Sequence, residues 1–138
     1  MSRAPARLSY DWYDGVIPAN AELGADVYLD SSYAFAAFRS RRQPGLVLGD
    51  AAGVYDRAAF VVGPRGRVKV GAYTCLNGTY VVCDDAVTIG AHCLLSWGVV
   101  LTDTWPGPAA PAAAGGRPCG RWPGTPTACS PRCRARAR

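Results

Sequence analysis

The sequence lacks any hydrophobic run long enough to cross a membrane. Its longest apolar stretch, Cys93–Leu101, has nine residues and is interrupted by Ser96 and Gly98, whereas a spanning helix needs about 20. The first ten residues contain two arginines with no apolar segment behind them, so no secretory signal is predicted. We therefore expect neither a membrane span nor secretion, and the expected compartment is the cytoplasm.

A concentrated basic region is missing from the first 105 residues. This part holds all 10 acidic residues and nine basic ones, for a net charge of −1, while residues 106–138 hold six arginines and no acid, for +6. The overall charge of +5 therefore comes from the C-terminal stretch. No nucleic-acid partner is predicted for the folded part.

Large aliphatic residues are absent after Trp105. Residues 106–138 contain seven Pro, eight Ala, five Gly and six Arg, but no Val, Ile, Leu or Phe. Such a stretch buries too little apolar surface to offset its conformational entropy, so we expect a disordered tail. It is interpreted either as a basic arm or, with preference, as a GC-rich gene read out of frame, because these residues have codons beginning with two G or C bases.

Metal ligands are also scarce. His92 is the only histidine, and the six cysteines fall into two groups of three. Zinc sites need three or four well-placed ligands, usually including histidine or a fourth thiolate, so no metal is predicted. In a reducing compartment the cysteines are expected to be thiols.

What the sequence does contain is a short motif repeated four times. An aliphatic residue, a glycine and a small residue recur as Leu23-Gly24-Ala25, Leu48-Gly49-Asp50, Val70-Gly71-Ala72 and Ile89-Gly90-Ala91. Steps of six residues through these copies reach only large apolar residues, in four groups: Ile17, Leu23 and Leu29; Leu48, Val54 and Phe60; Val70, Leu76 and Val82; Ile89, Leu95 and Leu101.

A period of six fits neither an α-helix nor a simple alternating strand. It predicts short strands along the flat faces of a coil of about 18 residues. The twelve apolar residues are expected to point inward and stack on their equivalents in the next coil. The glycines are expected to supply the positive φ or the close approach that a corner requires. An antiparallel β-sandwich, with a hairpin at Asn77-Gly78, is the alternative.

The predicted organisation has three parts. Residues 17–105 form an all-β parallel β-helix of about four coils, residues 1–16 form an N-terminal cap, and residues 106–138 form the disordered tail. Two departures from the period, at 36–46 and 63–67, are predicted to be loops that project from coil corners.

The repeats over residues 16–105, and most closely the stretch 81–104, resemble the hexapeptide-repeat acyltransferase superfamily, in particular its sugar and xenobiotic O-acetyltransferases. The resemblance implies a single-stranded left-handed parallel β-helix and a homotrimer with active sites between neighbouring β-helices. It also implies transfer of an acetyl group from acetyl-CoA, as co-substrate, to a hydroxyl or amine of a sugar or other small molecule. The chain is interpreted as a truncated or frameshifted member.

The family uses a histidine as general base near neutral pH. The resemblance places this base after an aspartate near the end of a coil, but here Asp103 is followed by Thr104. The expected histidine is therefore missing. His92 and Asp103 remain as catalytic candidates, although the preferred interpretation of His92 is an exposed turn residue.

Three further residues, Asn77, Ser96 and Trp97, are candidates for the substrate or cofactor cleft. Asn77 and Ser96 stand at outward-facing positions, where they contact a ligand or only solvent. Trp97 occupies the position at which some family variants carry histidine, but an indole N–H only donates. We expect little or no acetyltransferase activity from this chain. The alternative function is a non-catalytic β-helical module for oligomerisation or binding.

Overall fold

The computed structural model describes residues 7–104. The predicted tail at 106–138 and the first six residues of the predicted cap lie outside this range. The described part contains one 3-10 helix, Ser32–Phe35, and eleven strands: β1 Ala21–Leu23, β2 Tyr28–Leu29, β3 Leu46–Leu48, β4 Gly53–Tyr55, β5 Ala59–Val62, β6 Arg67–Val70, β7 Cys75–Asn77, β8 Tyr80–Cys83, β9 Ala86–Ile89, β10 Leu94–Leu95 and β11 Val100–Thr102. In residues 7–104, no helix is long and apolar enough to span a bilayer.

The strands form three parallel sheets that wind as a solenoid of about four coils. Face 1 contains β1, β3, β6 and β9, face 2 contains β2, β4, β7 and β10, and face 3 contains β5, β8 and β11. On the third side of the first coil, the 3-10 helix and a bridge from Phe38 to Val62 take the place of a strand. The predicted all-β parallel β-helix of about four coils is confirmed, and the antiparallel sandwich is wrong.

The strand register stacks aliphatic side chains into ladders, as the six-residue period predicts. The ladder of face 1 is Leu23, Leu48, Val70 and Ile89, and that of face 2 is Leu29, Val54, Leu76 and Leu95. All eight belong to the hydrophobic core or pack against it. Full burial of one such side chain contributes roughly 1.5–3 kcal/mol relative to exposure. The two ladders therefore form a continuous part of the hydrophobic core.

Val82 is the predicted inward residue that the structure contradicts. On face 3, Val81 stacks between Phe60 and Leu101 and is fully buried, whereas Val82 faces outward. Counting from the face 2 ladder, the inward residue of face 3 comes five positions later in the third coil and six later in the second and fourth. One residue fewer in a corner turns every following side chain of the strand to the opposite side.

The corner between faces 1 and 2 is the most regular part of the solenoid. Each of its four copies contains one residue with positive φ, namely Asp26, Ala51, Tyr73 and His92. The glycines of the repeated motif do not have positive φ. They allow close approach instead, since a Cβ on Gly71 would lie 2.4 Å from the backbone nitrogen of Ala91 in the next coil. The close approach was predicted correctly, and the positive φ falls two residues later.

The two predicted loops lie at the corner between face 3 and face 1. In the first, residues 36–46, Phe38 is buried and belongs to the coil rather than to a projection. The chain after it is held by Asn20, whose Nδ2 donates to the carbonyl oxygens of Ser40 and Arg42 at 2.9 Å each. The second, residues 63–67, is a turn that ends in the first residue of β6.

Residues 8–17 cover the N-terminal end of the solenoid. The Tyr10 hydroxyl donates to the carbonyl oxygen of Leu29 at 2.8 Å, and the Asp11 carboxylate accepts from Ser31 Oγ at 2.6 Å and from the N–H of Ser32 at 3.0 Å. Burial alone would raise the pKa of Asp11, but these hydrogen bonds outweigh it and lower the pKa to about 2. At the other end, no strand in residues 7–104 pairs with the outer edge of β9, β10 or β11.

Candidate functional site

The five residues that the sequence predicts as a site lie at three different corners. His92 lies between faces 1 and 2, and Asp103 follows β11 at the corner between faces 3 and 1. Asn77 ends β7, and Ser96 and Trp97 follow β10, all at the corner between faces 2 and 3. Within one chain, only Asn77, Ser96 and Trp97 share a corner.

His92 is exposed and stacks on Tyr73, its equivalent in the preceding coil. Their ring centroids lie 5.1 Å apart and the rings are inclined by 6°. The backbone N–H of His92 donates to the carbonyl oxygen of Ala72 at 2.9 Å. Within residues 7–104, no carboxylate lies in salt-bridge range of the imidazole. It therefore lacks the carboxylate partner that often fixes the tautomer of a catalytic histidine.

Asp103 closes the corner between faces 3 and 1. Its carboxylate accepts from the backbone N–H groups of Asp84, Asp85 and Ala86 at 2.9, 2.7 and 2.8 Å, and from Thr104 Oγ1 at 2.8 Å. Burial opposes ionisation, but these hydrogen bonds hold the pKa of Asp103 well below its ordinary value. A carboxylate that is saturated in this way stays ionised and stabilises the turn.

Cys83 lies beneath Asp103 in the stack of face 3. Its Sγ is 3.4 Å from the carbonyl oxygen of Arg67 and 3.5 Å from Oδ2 of Asp103. Burial is the main cause that raises the pKa of this thiol, to about 11. The thiol is therefore protonated near neutral pH and is not a nucleophile there. Cys75 and Cys93 are half-buried thiols.

Trp97 is held in a defined but exposed position, with 68% of its surface accessible. Its Nε1 donates to the carboxylate of Asp56, which belongs to the second coil, about 10 Å away along the axis of the solenoid. The indole lies against Gly78 of the third coil, where a Cβ would come within 2.5 Å of Trp97 Cδ1. The third coil has one residue fewer at this corner and has glycine at position 78, so no side chain of that coil separates Trp97 from Asp56.

Aromatic rings also lie on the outer side of face 2. Tyr55 stacks on Tyr28 with a centroid separation of 4.8 Å and an inclination of 22°. The Tyr55 ring lies along the sheet over Gly53, where a Cβ would be 2.2 Å from Tyr55 Cε2. A glycine thus makes room for an aromatic side chain here as it does beneath Trp97.

Beside Tyr55 lies the face 2 groove, a shallow depression of about 500 Å³ lined by Asp30, Tyr55, Asp56, Cys75 and Asn77. The Oδ1 atom of Asn77 is buried and accepts no hydrogen bond from the described residues. Sequence reasoning identified Asn77 and Trp97 but missed Asp30, Tyr55 and Asp56. Aligning outward as well as inward positions would have revealed part of the set, because Asp30, Tyr55, Asn77 and Ser96 each follow a residue of the face 2 ladder.

The outer side of face 3, like that of face 2 and unlike that of face 1, carries no charge on its strands. Its outward strand positions are Ala59, Val61, Tyr80, Val82, Val100 and Thr102. Face 1, by contrast, presents Glu22 and Lys69 outward. Beside Val61 and Val82 lies an apolar depression of about 430 Å³, bordered by Arg39, Arg41 and Asp84.

The two catalytic candidates lie apart from the face 2 groove within one chain. His92 and Asp103 lie at different corners from the face 2 groove, and Asp103 is committed to backbone hydrogen bonds. No group of three or more His, Cys, Asp or Glu side chains within residues 7–104 forms a candidate metal site.

No protein-family model, no curated protein and no solved structure matches the chain. Its described residues form a parallel β-helix of about four coils. The likeness to acyltransferases is a resemblance of the repeats alone.

Proposed function

We propose that this protein is a β-helical assembly module whose copies associate through face 3. The observation that carries the proposal is the apolar depression beside Val61 and Val82, on a face whose outward strand positions carry no charge and which also exposes Tyr80 and Val100. Exposed apolar patches of this kind mark interaction surfaces. A second copy of the chain presents the same flat apolar face and is an occupant of matching chemistry.

The polar border of face 3 favours a second copy as the partner. Arg39 and Arg41, which follow the first coil, lie on one side of the depression, and Asp84, which follows the third, lies on another. Two copies in opposite orientation would bring the arginines of one towards the aspartate of the other. The resemblance implies a homotrimer instead.

Light scattering after size-exclusion chromatography tests this assembly. We expect the wild-type chain to have a mass well above that of a monomer at micromolar concentration. Val82→Glu should lower the mass towards one chain, because a charge would be buried in the interface. Thr88→Glu on face 1 is the matched control and should leave the mass unchanged. A monomeric wild type, or equal behaviour of the two variants, would contradict the proposal.

Acetyl transfer from acetyl-CoA to a hydroxyl or amine of a sugar or small molecule is a second candidate function. The β-helical fold and the exposed imidazole of His92 favour it. Because His92 lies at a different corner from Asn77 and Trp97, the reaction would need a cleft formed between copies. The face 2 groove does not fit the cofactor, since the carboxylates of Asp30 and Asp56 would repel the phosphates of coenzyme A.

An acetyl-CoA thiol-release assay tests the second candidate. We expect release no faster than in buffer, because general acid-base assistance contributes about 10²–10⁴-fold and His92 has no carboxylate partner in residues 7–104. Turnover that is lost in His92→Ala but kept in the control Asp14→Ala would establish an enzyme.

A further inference from the structure

We propose that the copies of this protein pair in antiparallel orientation, with Arg39 of each copy against Asp84 of the other. The pairing rests on the proposed function, assembly through face 3, and adds to it the relative orientation of the copies and the residues that select it. The two copies are related by a two-fold axis that runs along the strands of face 3 at the level of the second coil. Such an interface uses the same surface patch on both copies.

Arg39, Gly63 and Asp84 form a charged column at the end of face 3, with one residue from each of the first three coils. Each comes directly after a buried residue that the strand register aligns with the others. Neighbouring coils are about 4.8 Å apart, so the arginine and the aspartate stand about 10 Å apart along the solenoid axis, with the glycine midway. The column is therefore basic at one end, acidic at the other and without a side chain at its centre.

A half-turn about an axis through Gly63 makes this column complementary to itself. The rotation exchanges the first coil with the third and keeps the corner between faces 3 and 1 in place. It therefore brings Arg39 of one copy to Asp84 of the other, and the symmetry forms the same contact a second time. The absence of a side chain at Gly63 lets the two copies approach each other at the axis.

The neighbouring outward column of face 3 is complementary to itself in size. From the first coil to the third it consists of Ala37, Val61 and Val82. The same half-turn places the small side chain of Ala37 against the larger Val82 and sets Val61 against its own equivalent. All three line the apolar depression beside the charged column. Both columns therefore indicate the same register of the second copy.

The charges of the column are held in place without being neutralised. Neither Arg39 nor Asp84 forms an ion pair within residues 7–104. Arg39 Nη1 donates to the carbonyl oxygens of Ala36 and Phe38 at 3.2 Å each, which keeps the guanidinium at the corner. The Asp84 carboxylate lies over Gly63, where a Cβ would be 2.4 Å from Asp84 Oδ1, so it reaches towards the proposed axis. Complementary charges of this kind fix the register of an interface.

A parallel arrangement does not make these contacts. Around an axis parallel to the solenoid, whether two-fold or three-fold, equal coils of the copies lie at the same height. Arg39 and Asp84 of neighbouring copies then stay about 10 Å apart along the axis. The homotrimer that the resemblance implies is of this parallel kind, so the contact between Arg39 and Asp84 distinguishes the two arrangements.

Exchanging the two charges between variants tests the antiparallel pairing. Arg39→Glu and Asp84→Arg should each raise the dissociation constant by about tenfold or more, because two like-charged contacts form when either variant pairs with itself. An equimolar mixture of the two variants should assemble like the wild type, since both contacts between unlike chains then join opposite charges. Native mass spectrometry of the mixture should show dimers that contain one chain of each variant.

Arg67→Glu and Glu22→Arg are the matched controls, because they make the same changes of charge on face 1. Both should assemble like the wild type, alone and in mixture. Circular dichroism establishes that each variant is folded before its mass is compared. Wild-type assembly that either column variant leaves unchanged, or that the mixture of the two does not restore, would overturn the antiparallel pairing.

A contact between methyl groups gives a second test that needs no variant. Ala37 and Val82 lie two coils apart, or about 10 Å, within one chain, too far for an NOE. We expect an intermolecular NOE between them in a mixture of labelled and unlabelled wild-type chains. An assembled wild type without this NOE would overturn the antiparallel pairing and leave assembly through face 3 in place. A monomeric wild type would overturn both.

Discussion

The glycines of the repeated motif let successive coils approach each other. A Cβ on Gly24, Gly49 or Gly71 would lie 2.4, 2.5 or 2.4 Å from the nearest atom of the next coil. The equivalent Gly90 meets only Cys93 Sγ, at 3.8 Å. The same residue in the same motif therefore has a different tolerance to substitution, depending on whether a further coil packs against it.

Gly71→Ala and Gly90→Ala form a matched pair that tests this stacking. Gly71→Ala should lower the free energy of unfolding by about 1–3 kcal/mol, because the added methyl group overpacks the contact with Ala91. Gly90→Ala should be neutral, or should stabilise by about 0.4–1 kcal/mol through the unfolded chain. Urea unfolding followed by circular dichroism measures both. Equal losses in the two variants would argue against the stacked corner.

Asp103 should make stability depend on pH. Its pKa in the folded protein is lowered, so its contribution is present above the unfolded pKa of about 3.9 and is lost as the pH falls through the folded value. Asp103→Asn should lower the free energy of unfolding by roughly 1 kcal/mol at neutral pH, a modest loss because the site is open to solvent. Below about pH 4 the urea midpoint of this variant should depend less on pH than that of the wild type. The control Asp14→Asn should show neither effect. Parallel pH profiles for wild type and Asp103→Asn would contradict this role.

At the scale of the strands, the centre of the face 2 ladder should not tolerate a charged side chain. Leu76 is 1% exposed and lies between Val54 and Leu95. Leu76→Asp should abolish folding, because it buries an uncompensated carboxylate, and Leu76→Ala should cost about 2–5 kcal/mol. Leu94→Ala, at a neighbouring side chain that is 74% exposed, should stay within about 0.5 kcal/mol of the wild type. A soluble, cooperatively folded Leu76→Asp would refute the ladder.

Faces 1 and 2 could be predicted from the sequence because their inward positions are set by packing. The step from the face 1 ladder to the face 2 ladder is six residues in every coil. Face 3 could not be predicted in full, since solvent-facing corners tolerate length changes. The third coil has one residue fewer before β8, which places Val81 rather than Val82 inward. The first coil has a 3-10 helix on that side.

The candidate site was predicted only in part for a related reason. The period predicts outward positions for Asn77 and Ser96, and the structure brings both to the same corner as Trp97; their role as a site stays a prediction. The contact of Trp97 with Asp56 crosses two coils and depends on the absence of a side chain at Gly78. This contact does not repeat along the chain, so no periodic pattern reveals it.

At the scale of the whole molecule, the two ends of the solenoid differ. Residues 8–17 cover the first coil. At the other end, β11 pairs with a strand on one side only within residues 7–104, whereas β8 pairs on both sides, with β5 and β11. We expect amide hydrogen exchange to be faster over Val99–Thr104 than over β8, because half the amides of an edge strand have no strand partner. Equal protection of the two segments would show that something else covers the C-terminal edge.

The proposed assembly is the central claim, and intermolecular contacts between methyl groups test it most directly. An isotope-filtered NOE spectrum of mixed labelled and unlabelled chains reports contacts between copies only. We expect intermolecular NOEs from the methyl groups of Val61, Val82 and Val100 on face 3, and none from Val47 on face 1. Intermolecular NOEs confined to Val47, or a spectrum without any, would contradict assembly through face 3.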